Sequence, residues 1–126
     1  MEVTRSVLSR ISSNGTYLKA ELLDRQTALE TREFLTAIVK SAREHRCGRV
    51  LVVVRESKPL FKVDEYGITD YLRLLARNKD YRVALLGDSE ETRISHEYIV
   101  VLARQHGARV ESFNSEADAV KWLTAA

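Results

Sequence analysis

The chain has 126 residues, which suits one compact domain and is long enough to bury a core without disulfide or metal staples. Its 20 basic and 18 acidic residues leave a net charge of +2, so no basic excess points to nucleic acid or to an anionic membrane as partner. A single cysteine, Cys47, excludes an internal disulfide and fits a reducing compartment. The opening Met1-Glu2-Val3-Thr4-Arg5 lacks a signal-peptide pattern, and no apolar run is long enough to span a bilayer, so a cytoplasmic location is expected.

Residues 3–11 alternate: Val3, Val7 and Ile11 are interrupted by Arg5 and Ser9, with Leu8 on the other side, as in a half-exposed strand. Ser12-Ser13-Asn14-Gly15 follows, and Asn-Gly between alternating runs is a strong hairpin signal. The partner strand is expected over 16–23, with Leu18, Ala20 and Leu22 on one face and Tyr17, Lys19 and Glu21 on the other. A helix is expected from Thr27, which forms a capping box with Glu30. Its apolar stripe is Phe34, Leu35, Ile38, Val39 and Ala42, and Gly48 is expected to stop it.

Arg49-Val50-Leu51-Val52-Val53-Val54 is an unbroken, mostly β-branched run of strand length. A strand apolar on both faces belongs in the middle of a covered sheet. After an irregular stretch holding Pro59, a second helix is expected over about 64–78, burying Ile68, Tyr71, Leu72 and Leu75, with Gly67 weakening its start. Residues 81–86 read as another buried strand. Asp88 is expected to cap the next helix with Glu91 reaching back, and Ile94, Tyr98, Val101 and Leu102 to form its buried stripe up to Gly107. A last strand over 109–113 and a last helix capped by Ser115, carrying Ala119, Val120, Trp122 and Leu123, complete the order β-β-α-β-α-β-α-β-α. That order predicts a single α/β domain over 1–126. Its five-stranded sheet is mixed but mostly parallel, with an antiparallel amino-terminal hairpin and four helices.

The arrangement resembles the STAS-like, SpoIIAA-like family of small α/β domains, whose fold is shared with a group of lipid-binding domains. The strand at 50–54 carries the resemblance, with Arg82-Val83-Ala84-Leu85-Leu86-Gly87-Asp88 and the ending from His106-Gly107-Ala108-Arg109-Val110 through Ser112-Phe113 to Ala117-Asp118-Ala119-Val120-Lys121-Trp122-Leu123. It implies a non-enzymatic module that binds a protein partner and, in the anti-sigma-factor antagonists, is switched by a phosphorylated serine. The matching loop here offers Ser57 in Glu56-Ser57-Lys58-Pro59, without the family's Asp-Ser-x-Gly context, and the next hydroxyl, Thr69, falls inside a predicted helix.

Other chemistry finds little support. Cys47 has Arg46 and Arg49 beside it, which lower a thiol pKa, but no base is placed near it by sequence. His45, His96 and His106 share no metal-ligand spacing with each other or with Cys47, so no metal or cofactor is expected. Gly87-Asp88-Ser89 lies at the carboxyl end of a strand, where ligands of open α/β sheets bind, but its acidic residues repel phosphate and capping accounts for them. The central strand ends in Arg55-Glu56 rather than aspartate, which excludes a phosphoacceptor receiver domain. The expected interaction site is the loop after the central strand, with Ser57, Leu60, Phe61 and Tyr66; Leu60 and Phe61 form an apolar centre rimmed by Lys58 and Lys62. The function expected is a non-catalytic regulatory or interaction module that binds a protein partner, including a second copy of itself as a homodimer. The alternative is a carrier of a small apolar ligand or lipid.

Overall fold

The computed structural model describes residues 9–58 and 67–125. Strands β1 (Ser9–Ser13), β2 (Leu18–Leu23), β3 (Arg49–Arg55), β4 (Arg82–Gly87) and β5 (Val110–Phe113) form one sheet in chain order, β1-β2-β3-β4-β5. The β1–β2 pair is antiparallel and the rest are parallel, as expected. Helices α1 (Ala28–His45), α2 (Ile68–Ala76), α3 (Glu90–His106) and α4 (Glu116–Thr124) alternate with the strands after the hairpin.

β3 is the middle strand, and Val50 through Val54 are all buried because both faces of the sheet are covered. The period of two divides them. Val50, Val52 and Val54 join a large core with Leu18, Ala20, Leu22, Val83, Leu85 and residues of α1, α2 and α3. Leu51 and Val53 join Ala84 in a smaller core closed by Ala119 and Leu123 of α4. Right-handed crossovers that advance steadily across a sheet leave their helices on one side, so α1, α2 and α3 share a face and α4 covers the other.

Local chemistry fixes the helix ends. Thr27 Oγ1 accepts from Glu30 N at 3.2 Å and Glu30 Oε1 accepts from Thr27 N at 3.0 Å, the expected capping box. Ser115 caps α4 by accepting from Asp118 N at 3.2 Å. Other boundaries differ from expectation. The first strand runs to Ser13, paired with Leu18, so Asn14 makes the turn: its Oδ1 accepts from Thr16 N at 2.9 Å and Tyr17 N at 3.0 Å. The part of that strand expected before Ser9 lies outside the described residues, as do residues 64–66, expected to begin the second helix. α1 ends at Arg46, which adopts the left-handed conformation (φ 50°), and not at Gly48. Gly48 is required for another reason: a Cβ there would lie 2.2 Å from Cδ1 of the Tyr81 ring.

The largest correction concerns α3. Ile94, Tyr98 and Val101, expected in the core, are 59%, 52% and 48% exposed. The helix instead buries Thr92, Ser95, His96, Ile99, Val100 and Ala103. The cause is the close approach of β4: a Cβ on Gly87 would meet Thr92 Cγ2 at 2.7 Å and His96 Cε1 at 3.3 Å. The bare glycine backbone lets this more polar side of the helix seat directly on the strand end.

Candidate functional site

The carboxyl ends of the parallel strands gather most of the residues singled out from sequence. Ser57, Asp88 and Ser89 line one shallow depression with Gln26, Glu56 and Lys58, and Gly87 adjoins it at the end of β4. These groups are occupied in holding the edge together. Ser57 Oγ accepts from Arg25 N at 2.9 Å and donates to Arg55 O at 2.9 Å. Asp88 does not cap α3; its Oδ2 accepts from Glu56 N at 2.9 Å and ties the ends of β3 and β4, with Glu56 itself at φ 50°. The cap of α3 is Ser89, whose Oγ accepts from Thr92 N at 3.1 Å and donates to Thr92 Oγ1 at 2.9 Å. Leu60, Phe61 and Tyr66 lie outside the described residues.

Behind this edge, between the sheet and the three-helix layer, lies a cavity of about 60 Å³. Leu22, Val54 and Leu85 form its floor near the strand ends, and Arg25, Thr31 and His96 bring polar groups to it from the β2–α1 connection, α1 and α3. All three polar residues are buried. Thr31 Oγ1 and His96 Nδ1 have no hydrogen-bond partner among the described residues. Arg25 donates from Nη2 to Lys58 O. Burial, and after it the positive charge of Arg25, push the His96 imidazole down to about 4, so it is neutral at physiological pH. Sequence reading missed this cluster. Its residues come from distant segments, and the one available signal was polar: Thr92, Ser95 and His96 recur at helical spacing opposite an apolar stripe.

The opposite face of the sheet has its own polar anchor. Arg49 and Arg82 stand side by side in parallel register and both reach the carbonyl end of α4. Arg82 Nη1 donates to Trp122 O and Ala125 O, each at 2.9 Å, and Arg49 Nη1 donates to Leu123 O and, at 3.2 Å, to Ala125 O. Carbonyls left unpaired at a helix end, together with the negative end of its dipole, are a natural counterpart for two cations. The Arg82 guanidinium also lies 5.8 Å from the Trp122 ring, which tilts against Phe113 at 5.6 Å. Trp122 is partly buried and packs against the smaller core.

The outer side of α3 carries the exposed stripe of Ile94, Tyr98 and Val101. Glu90 and Glu91 occupy its first turn, and Arg104 and His106 its last. Arg104 also meets Glu111 within the chain at 3.4 Å.

Elsewhere, Cys47 is partly buried, with Sγ 3.5 Å from Arg49 O and 3.6 Å from Thr16 O, and serves as a small residue at the entry to β3. His45 Nδ1 lies 2.9 Å from Ser41 O one turn back in α1. Among the described residues no three histidine, cysteine or acidic side chains converge as a metal site would require, and no helix is long and apolar enough to cross a membrane. Compared with protein-family models, with curated proteins and with solved structures, the chain gives no match.

Proposed function

We propose that this chain is a non-catalytic interaction module that pairs with a second copy of itself through the outer side of α3, and that its kinship is with the STAS-like domains. The observation that carries this reading is the exposed stripe Ile94, Tyr98 and Val101, a contiguous apolar strip with an aromatic centre. Charge supports a copy of the same chain as the occupant. The helix itself runs from an acidic first turn, Glu90 and Glu91, to a last turn in which Arg104 and His106 flank the line of the stripe. Two such helices crossing antiparallel about a two-fold axis near Tyr98 bring each acidic turn to the partner's basic turn, the self-complementarity that a two-fold interface requires. One helix side is small for a stable dimer, so a dissociation constant on the order of 10 μM is expected.

Sedimentation equilibrium on the full chain and on Tyr98→Glu tests this. The parent chain should associate reversibly as concentration rises, and Tyr98→Glu should stay a single chain with an unchanged melting temperature. A parent chain that remains single up to about 1 mM sinks the reading, as does a Tyr98→Glu variant that still associates.

The carrier reading is less well supported. The cavity behind the sheet edge, about 60 Å³, is far below the roughly 150 Å³ that takes up a benzene ring, and the larger space of about 580 Å³ between α1 and α2 is an open groove with Lys40, Arg43, Glu44 and Asp70 along it rather than an enclosed apolar pocket. The antagonist-type switch has little support either, since Ser57 Oγ already both accepts and donates a hydrogen bond in holding the strand ends together.

A further inference from the structure

We propose that the amino-terminal edge of the sheet docks the phosphate backbone of a nucleic-acid duplex, through the exposed cations Arg43, Arg46, Arg77, Lys79 and Arg109 and without reading base sequence. The net charge of +2 conceals a segregation. Each helix returns antiparallel to the parallel strands, so all four helices end at the same edge of the sheet. Residues 43–49, 77–82 and 104–109 lead there from helix to strand, and Glu44 and Asp80 are the only acidic residues among them. Asp24, Glu56, Asp88, Glu90 and Glu91 are exposed at the opposite edge. The three basic connections lie side by side. Gly48 O accepts from Arg82 N at 2.9 Å and Arg109 O accepts from Val83 N at 3.0 Å, so neighbouring connections are one strand spacing, about 4.8 Å, apart. Burial, and then the charges of Arg49 and Arg109, pull the Arg82 guanidinium below its usual range against the opposing pull of Asp80, which marks the positive field at this edge.

None of the five cations makes an ion pair among the described residues, whereas Arg104 meets Glu111. The rest of the chain joins the described residues at the opposite edge, before Ser9 and between Lys58 and Gly67, and at this edge only through Ala126. Cations in a last helical turn also answer the helix dipole, but that effect fades within the turn, and Lys79 and Arg109 stand beyond it. Chemistry selects the partner. Four of the five are arginines, whose planar guanidinium takes phosphate bidentately. The exposed large apolar residues Leu23, Leu29, Ile94, Tyr98 and Val101 all lie off these connections, so none there enters a bilayer. Tyr81, their one aromatic ring, is half-buried over Gly48 and gives the bases of a single strand no platform. A contact with the acidic edge of a second copy runs head to tail, does not close, and strings the chain into filaments.

The test is fluorescence anisotropy of the full chain with labelled duplexes of about 20 base pairs, DNA and RNA, each in two unrelated sequences, from about 50 to about 200 mM salt. Either kind of duplex, bound alike in both sequences, supports the proposal, with log K falling against log salt at a slope of about −4, roughly 0.9 for each phosphate contact. Arg109→Ala and Lys79→Ala should each weaken binding roughly fivefold to tenfold at about 0.1 M salt and flatten the slope by about 1, with unchanged melting temperatures. Arg10→Ala, which removes the same charge from an exposed place on β1, should do neither. The proposal is overturned if neither duplex binds at about 50 mM salt, or if Arg10→Ala weakens binding as much as Arg109→Ala, which would make net charge and not this edge responsible. In the first case, sedimentation with phosphatidylserine vesicles, and of the chain alone at low salt, tells whether a membrane or the acidic edge of another copy is the true occupant.

Discussion

One face of the sheet is covered by α1, α2 and α3, the other by α4 alone, and the two faces solve the same problem differently. The three-helix face buries most of the apolar surface, yet it contains the cavity and two of the three buried polar atoms that have no partner among the described residues, Thr31 Oγ1 and His96 Nδ1. The single-helix face has a small core of Leu51, Val53, Ala84, Ala119 and Leu123, and makes up for its size with polar ties. Arg49 and Arg82 hold the end of α4, Lys19 meets Glu116 at 3.2 Å, and Arg55 meets Glu21 at 2.7 Å. The Arg55 bond and its charge draw the Glu21 carboxyl below its usual range. Apolar surplus on one face leaves room for imperfect packing. On the other, ion pairs and arginine-to-carbonyl bonds supplement the small core, although Arg82 Nε is itself left without a partner among the described residues.

The largest expected effect is on the smaller core. Leu123→Ala should cost about 4 kcal/mol, since Leu123 is fully buried and few neighbours can close the gap. Hydrogen exchange should show α4 losing protection first while α1 and α3 keep most of theirs. A uniform loss over all four helices would mean that the two faces are not energetically distinct.

Next comes His96. Its folded-state pKa of about 4 lies below the unfolded value of about 6.5, so between those values the unfolded chain binds the extra proton. The contribution is therefore complete above pH 6.5 and is lost as pH falls towards 4, by about 3 kcal/mol in all. Denaturant unfolding at pH 7, 5.5 and 4.5 on the parent and on His96→Leu checks this: the variant should lack that part of the acid sensitivity. Equal slopes would show that His96 is not held neutral by its surroundings.

A smaller effect sharpens the contrast within the three-helix face itself. Gly48→Ala should cost about 1–3 kcal/mol, because the new Cβ would overlap the Tyr81 ring and force it to shift. Thr31→Val, beside the cavity, should move stability by less than about 1 kcal/mol in either direction, since it removes a hydroxyl that has no partner among the described residues. Calorimetry on the two variants compares a steric overlap with the loss of one unpartnered hydroxyl. Similar losses would contradict the difference between them.

Sequence reading located the sheet well because its signals are local. The run from Val50 to Val54 is apolar on both sides, Leu18, Ala20 and Leu22 alternate, and Thr27 and Ser115 announce helix starts. It put the wrong side of α3 in the core for an equally physical reason. Periodicity assigns burial to the most apolar stripe, and here Gly87 draws Thr92 and His96 inward and leaves Ile94, Tyr98 and Val101 outside. It placed the end of α1 at Gly48, because an arginine in the left-handed region is uncommon and Arg46 takes that role. The candidate site was half legible. Ser57, Gly87, Asp88 and Ser89 do gather at the predicted edge, but the cavity beneath them needs Arg25, Thr31 and His96, which only the folded chain brings together.

Strand order that repeats chain order has a consequence for synthesis. During translation each new parallel strand can add to the edge left by the one before, so the sheet grows outward as the chain emerges, with its helices laid down on one side. The other side stays bare meanwhile: Leu51, Val53 and Ala84 wait for α4, which follows β5. The nascent sheet thus keeps one apolar side uncovered until α4 emerges directly behind β5.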